Sequence, residues 1–129
     1  MSTPSLRPST VDVLVIDDDQ LFGLSLVDRL KNERWSVAFH HGPFGTVNAI
    51  RAAQPKLLIL DLNMPGLEGT RIHDLLKKRN DLNRMKVLLL SSTEDTELKR
   101  IASENGFDGA LNKSASRAQL VEAIRGLIG

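Results

Sequence analysis

The sequence predicts an α/β fold in which a five-stranded parallel sheet is covered by helices on both faces. Short apolar runs alternate five times with segments of helical periodicity, which is typical of successive β-α units. Three of these runs are continuously apolar, as expected for strands buried on both faces of a parallel sheet. Right-handed crossover connections then place helices on both sides of the sheet.

The predicted strands are short apolar runs. They lie at residues 11–16, 35–39, 57–60, 87–90 and, more weakly, 109–111. Each run is too short to form a helix of ordinary length. The run at 35–39 alternates apolar and polar residues, so one of its faces is expected to be more exposed. That pattern places it at an edge of the sheet.

The five helices are predicted from their first residues and their apolar faces. Asp19 is interpreted as the N-cap of the first helix rather than as a third metal ligand, because Asp is a preferred capping residue. Pro43 is expected to open the second helix. The run Thr93-Glu94-Asp95, with its acidic residues, is expected to open the fourth, Gly106 to cap its end, and Ser116 to precede the fifth. The residues expected to face the core from the first and third helices are Leu21, Phe22, Leu24, Leu26, Val27, Leu30, Ile72, Leu75 and Leu76.

Composition limits the classes of function. The chain has 129 residues, so we expect one domain over 11–129, preceded by a flexible Ser/Thr/Pro-rich tail over 1–10. Its 17 basic and 16 acidic residues give no electrostatic reason to bind nucleic acid or a membrane directly. It contains no Cys, which excludes disulfides and thiolate chemistry. A cytoplasmic protein fits this composition.

Polar side chains follow the apolar runs. Asp17 and Asp18 end the first run, Asp61 the third and Ser91 the fourth, while Lys113 comes just after the fifth. In open parallel sheets ligands bind beyond the carboxyl ends of the strands, so these side chains are expected to lie together. Neighbouring carboxylates repel each other, and a divalent cation such as Mg²⁺ relieves that repulsion. A carboxylate nucleophile, a metal, an ammonium and a hydroxyl are the groups that phosphoryl transfer needs.

Three stretches and one lysine match a known family at the expected spacing. The stretches are residues 13–19, 58–69 and 87–92, and the lysine is Lys113. Asp18 precedes Asp61 by 43 residues, Asp61 precedes Ser91 by 30, and Ser91 precedes Lys113 by 22. On these residues the chain resembles the receiver domain of two-component response regulators, over nearly its whole length. The resemblance implies a flavodoxin-like, doubly wound sheet with strand order 2-1-3-4-5.

The resemblance also implies a role for each polar residue of the site. Asp61 would be the phosphoryl acceptor. Mg²⁺ would be held by Asp61, by Asp18 directly, by Asp17 mainly through water and by the backbone carbonyl of Asn63. The catalytic set would be completed by Ser91, whose hydroxyl contacts the phosphoryl group, and by Lys113, which pairs with it.

The partners implied by the resemblance are proteins. A sensor histidine kinase or a histidine phosphotransfer protein would donate the phosphoryl group. An unknown downstream protein would bind the face formed by the fourth helix, the fifth strand and the fifth helix. Autodephosphorylation by water would reset the switch.

Two residues depart from the pattern of the family. Ala110 lies where many response regulators carry an aromatic ring, so the usual coupled movement of hydroxyl and ring cannot occur. Ser114 replaces a Pro that sets a cis bond in many relatives, and a trans bond is expected here because cis costs about 2.5–4 kcal/mol without Pro. Both changes touch the output face and leave the acidic set intact.

Ala110 motivates one alternative, a receiver-like interaction module that works without phosphorylation. A second alternative is a phosphatase with an Asp nucleophile, but such enzymes usually carry a second acid where this chain has Asn63. The three histidines are interpreted without a metal role. His40 and His41 are expected in a loop, and His73 on the surface of a helix.

Overall fold

A computed structural model of the chain describes residues 11–65, 69–78 and 85–129. Its strands form a five-stranded parallel sheet with the order β2-β1-β3-β4-β5. The strands are β1 (Val13–Asp17), β2 (Val37–His41), β3 (Leu57–Asp61), β4 (Lys86–Ser91) and β5 (Gly109–Asn112). The helices are α1 (Gln20–Arg29), α2 (Thr46–Ala53), α3 (Gly69–Lys78), α4 (Asp95–Asn105) and α5 (Arg117–Ile128). The predicted strand order and the alternation of strands and helices are confirmed.

The sheet has one apolar core on each face. Because successive residues of a strand point to opposite faces, Leu14 and Ile16 pack in one core while Val13 and Val15 pack in the other. Buried residues of α2, α3 and α4 complete the first core, and those of α1 and α5 complete the second. Helices therefore cover both faces, and the continuous apolar runs are explained by burial on two sides.

Strand β2 lies at the edge of the sheet, as predicted, but it starts two residues later than expected. Trp35 is buried in the core before the strand begins. The prediction that His40 and His41 lie in a loop was wrong, because they are the last two residues of β2. Their backbones continue the ladder with the end of β1, which the polar side chains do not prevent.

The predicted start of α1 is confirmed, whereas the predicted start of α2 is wrong. Asp19 is the N-cap of α1, and its side chain accepts a hydrogen bond from the backbone N–H of Phe22, as predicted. The second helix begins at Thr46 rather than at Pro43. The carbonyl of Pro43 accepts hydrogen bonds from the backbone N–H and the hydroxyl of Thr46. Pro43 therefore belongs to a turn before the helix, and Gly45, at φ 74°, is the N-cap.

The ends of α4 and the start of α5 are set by capping. Gly106 caps α4 in the left-handed conformation, and Ser116 forms a capping box with Gln119, so both predictions are confirmed. Residues 93–95 were predicted to open α4, and the helix begins at Asp95, the last of these residues, so that Thr93 lies before it. The side chain of Glu94 accepts from two backbone N–H groups of the first turn, and Glu94 is therefore the N-cap.

Some predicted helix faces differ from the observed ones. Leu21 is 82% exposed, Leu24 is 50% exposed and Leu75 is 40% exposed, so these residues do not belong to the core. His73 was predicted on the surface, but it is buried and its ring packs on Phe107 with centroids 4.3 Å apart. The apolar face of α3 is therefore completed by an imidazole in place of Leu75.

Residues 1–10, predicted as a tail, lie outside the described residues, and the domain bounds 11–129 stay a prediction. In the described part of the chain no helix is long and apolar enough to cross a membrane.

Candidate functional site

Four neighbouring strands end in polar residues at one edge of the sheet. Asp17, Asp61, Ser91 and Asn112 are the last residues of β1, β3, β4 and β5, and Lys113 follows directly. Asp17, Asp61 and Ser91 are each at most 3% exposed. Because all strands are parallel, their carboxyl ends meet at the same edge, where ligands of such sheets bind.

Three carboxylates form a cluster at this edge. Asp17, Asp18 and Asp61 each offer an oxygen atom, and these oxygens lie within 4.8 Å of one another. Burial, followed by the charge of Asp17, raises the pKa of Asp61 to about 7. The charge of Lys113 and the backbone N–H of Asn63, 3.3 Å from Oδ1, oppose this rise. The negative charge of the cluster is therefore not fully neutralised by the groups around it.

Lys113 supplies the positive charge within the cluster. Its Nζ lies 2.8 Å from Oδ2 of Asp17 and 3.6 Å from Oδ1 of Asp61. It also lies 4.7 Å from the ring centroid of Phe22, within the range of a cation–π contact. Burial alone would lower the pKa of Lys113, but the hydrogen bond to Asp17 and the charge of Asp61 raise it. This lysine therefore stays charged at neutral pH.

The cluster fits a hard divalent cation. One ammonium faces three carboxylates, and the pKa of Asp61 is raised, first by burial and then by the charge of Asp17, although Lys113 lies nearby. Oxygen ligands on an edge that is partly open at Asp18 suit Mg²⁺, which keeps several of its waters. The residues that could hold the ion are Asp17, Asp18, Asp61 and the backbone of the exposed Asn63.

Ser91 uses its full hydrogen-bonding capacity. Its Oγ accepts from the backbone N–H of Thr93 at 3.0 Å and from Nδ2 of Asn63 at 3.4 Å. Because both lone pairs are engaged, the hydroxyl proton is available to Oγ1 of Thr93, which lies 2.9 Å away. The hydroxyl of Ser91 therefore points into the loop after β4.

Comparison with known proteins identifies the family. The family model described as the response regulator receiver domain matches residues 13–125, which is most of the chain. The chain belongs to the response regulator receiver domain family. The receiver domain is 29% identical to a solved signal receiver domain from Bermanella marisrubri, with a TM-score of 0.80 over 92% of this chain and 98% of that one. The structure of the chemotaxis protein CheY4 of Vibrio cholerae, at 18% identity, shows the same fold, with a TM-score of 0.81 over 95% of this chain and 100% of that one.

Among curated relatives, the receiver domain is similar to the response regulator protein VraR of Staphylococcus saprophyticus. The two are 29% identical over 118 residues, which are 89% of this chain and 55% of VraR. The chain thus spans about half of the length of VraR. This likeness therefore carries no statement about the remainder of VraR.

The residues predicted for the site of this receiver domain all lie at the carboxyl edge of the sheet. They are Asp17, Asp18, Asp61, Asn63, Ser91 and Lys113. The expected trans bond between Lys113 and Ser114 is also present, since the cis bond in the described residues is Gly42–Pro43.

Two contacts of the site were missed from the sequence. The ring of His41 donates from Nε2 to the backbone carbonyl of Asp18 at 2.8 Å and so supports the turn that carries this acid. The side chain of Asn112 forms hydrogen bonds with Thr93 in the loop after β4 and with Ser114 in the loop after β5. The position of Asn112 at a strand end was the available signal for its role, whereas His41 gave none, because its partner is 23 residues away.

Proposed function

We propose that this receiver domain accepts a phosphoryl group on Asp61 and that phosphorylation switches a protein-interaction surface. The observation that carries the proposal is the environment of Asp61. This buried carboxylate has a second buried acid beside it and the ammonium of Lys113 3.6 Å away, at the edge where parallel sheets bind their ligands. An uncompensated carboxylate next to a fixed cation is suited to attack phosphorus and to retain the charged product.

The proposed reaction is a displacement at phosphorus. An oxygen of Asp61 forms a bond to the phosphorus of a phosphohistidine on the donor protein. The bond between nitrogen and phosphorus breaks, and the imidazole leaves with the bonding pair. Mg²⁺, held by Asp17, Asp18, Asp61 and Asn63, would supply charge neutralisation of the phosphoryl oxygens.

The remaining groups act on the product. The ammonium of Lys113 places one positive charge beside the acyl phosphate. The raised pKa of Lys113 keeps this ammonium protonated throughout the neutral range. The hydroxyl of Ser91 turns from Thr93 and donates to a phosphoryl oxygen. Attack by water on phosphorus then releases inorganic phosphate and restores the carboxylate of Asp61. The rate of this step is expected to depend on Asn63 and Thr93, which the family resemblance places near the phosphoryl group.

The proposed partners are a sensor histidine kinase or a histidine phosphotransfer protein as donor, and a downstream protein on the face of α4, β5 and α5. The domain would act in the cytoplasm, without direct contact with nucleic acid. These proposals follow from membership of the family, since response regulators are phosphorylated by such donors.

Intact-mass measurement after incubation with acetyl phosphate and Mg²⁺ tests the proposal. Wild-type protein should gain the mass of one phosphoryl group, and Asp61→Asn should gain none. Asp74→Asn, an exposed acid on α3, is the matched control and should behave as wild type. A wild-type protein that takes up no phosphoryl group would instead favour the phosphorylation-independent module. Continuous turnover of a phosphate ester would favour the phosphatase.

A further inference from the structure

A chain of hydrogen bonds leads from Ser91 to the fifth strand. Ser91 and Thr93 are joined by two bonds, from hydroxyl to hydroxyl at 2.9 Å and from backbone N–H to hydroxyl at 3.0 Å. Nδ2 of Asn112 then donates to the backbone carbonyl of Thr93 at 2.9 Å and to Oδ1 of Asp95 at 3.2 Å. One side-chain amide therefore joins the loop after β4 to the first turn of α4.

The other end of the same amide holds the loop after β5. Oδ1 of Asn112 accepts from both the backbone N–H and the hydroxyl of Ser114, at 2.9 and 2.8 Å. Two acceptors face Nδ2 and a backbone donor faces Oδ1, so the orientation of the amide is fixed by its partners. All four hydrogen-bonding positions of the amide are filled. Asn112 thus links the loop that follows Ser91 to the loop that carries Lys113.

The hydrogen-bond chain ends at a surface cavity on the output side of the domain. This cavity, of about 270 Å³, has Ala110 in its wall. Asp95, Asn112 and Ser114, which belong to the hydrogen-bond chain, all line it. A movement of Asn112 would therefore change the wall of the cavity, although Ala110 has no ring to move.

We infer that Asn112 is a positioning residue that couples the hydroxyl of Ser91 to α4 and to the loop after β5. This inference rests on the proposed function. A hydroxyl has one proton, so Ser91 can donate either to Thr93 or to a phosphoryl group on Asp61, and phosphorylation breaks the bond to Thr93. The Thr93 peptide then shifts, and Asn112 carries that shift to its partners. In this protein the hydrogen-bond chain takes the place of the aromatic ring that many response regulators carry.

Backbone amide chemical shifts, recorded by NMR with and without beryllofluoride and Mg²⁺, test the inference. In the wild-type domain, shifts should change both around Asp61 and at the cavity, at Leu98, Ala110 and Ala115. Asn112→Leu removes the amide while retaining a side chain of similar size. In this variant the changes around Asp61 should persist, and those at the cavity should fall to less than half of their wild-type size.

Two further variants keep the test independent of folding. Thr93→Val removes the hydroxyl that receives the Ser91 proton, keeps the carbonyl that Asn112 binds, and should reduce the cavity response similarly. The matched control is Asn105→Leu, because the side chain of Asn105 also donates to a backbone carbonyl, that of Ile101 at 2.8 Å, outside the hydrogen-bond chain. This control should respond as wild type.

The outcomes separate the coupling from the proposed function. A full cavity response in both Asn112→Leu and Thr93→Val would overturn the coupling while leaving Asp61 as the acceptor. A wild-type response that stays confined to the surroundings of Asp61 would also overturn it. No wild-type response at Asp61 would overturn the proposed function and the inference together.

Discussion

Replacing Asp61 by Asn should stabilise the fold in the absence of divalent cations. The carboxyl group has a pKa of 3.8 when unperturbed and about 7 in the fold, because of burial and the neighbouring charge of Asp17. At 1.36 kcal/mol for each tenfold change in acidity, this difference costs the ionised form about 4 kcal/mol. Asn keeps the shape and loses the charge, while Lys113 keeps its partner Asp17 at 2.8 Å. Because the amide makes less favourable contacts, we expect the free energy of unfolding to rise by somewhat less, on the order of 2–4 kcal/mol at pH 8.

The gain should depend on pH in a defined direction. Because the pKa of Asp61 is raised in the fold, its contribution to stability is fully present below pH 3.8 and is lost as the pH rises to about 7. The advantage of Asp61→Asn should therefore be largest above pH 7 and should shrink toward pH 4. Urea unfolding in the presence of a chelator, followed by the fluorescence of the buried Trp35, measures the difference at pH 5 and pH 8.

Mg²⁺ provides the internal control for this experiment. A ligand that binds only the folded state stabilises it by RT ln(1 + [L]/Kd), so added Mg²⁺ should stabilise wild type more than Asp61→Asn, which binds the ion more weakly. The electrostatic account of the site would be refuted if Asp61→Asn were less stable than wild type at pH 8 in chelator. An equal difference at pH 5 and pH 8 would refute it as well.

Three further predictions concern the scaffold. Burial lowers the pKa of His73, so wild type should lose stability as the pH falls below the ordinary value of 6.5, and urea unfolding of His73→Phe should show less of this loss. A Cβ on Gly23 would lie 2.0 Å from the ring of Phe39, so Gly23→Ala should cost about 1–3 kcal/mol in the same assay; an unchanged midpoint would refute this packing argument. Ser116→Ala breaks the capping box of α5 and should cost about 1 kcal/mol, whereas Ser116→Asp should restore most of it.

The sequence was sufficient to predict the fold because its three central strands, β1, β3 and β4, are buried on both faces. In β1 and β3 every position requires an apolar side chain until the last, where Asp17 and Asp61 stand. The same contrast marks the site, since a carboxylate after a fully buried run has few structural explanations. Strand order followed from the family resemblance and not from the pattern of residues.

Local periodicity failed where tertiary contacts decide burial. Leu21 and Leu24 fit an apolar pattern, yet α1 turns them away from the sheet, whereas His73 is polar but fills a space against Phe107. The position of Asn112 at a strand end marked it as a polar residue of the site, but its partner Thr93 could not be predicted, because the bond joins residues 19 positions apart. Such contacts depend on how two loops meet at the end of the sheet, which no local pattern encodes.

The most direct test of the central claim is to locate the phosphoryl group in the chain. Protein phosphorylated by acetyl phosphate with Mg²⁺ is reduced with borohydride, which converts an aspartyl phosphate to homoserine, and its peptides are mapped by mass spectrometry. We expect conversion at Asp61 and none at Asp17 or Asp18. Conversion at either of those acids, or a phosphoryl group on Ser91 or Thr93, would contradict it.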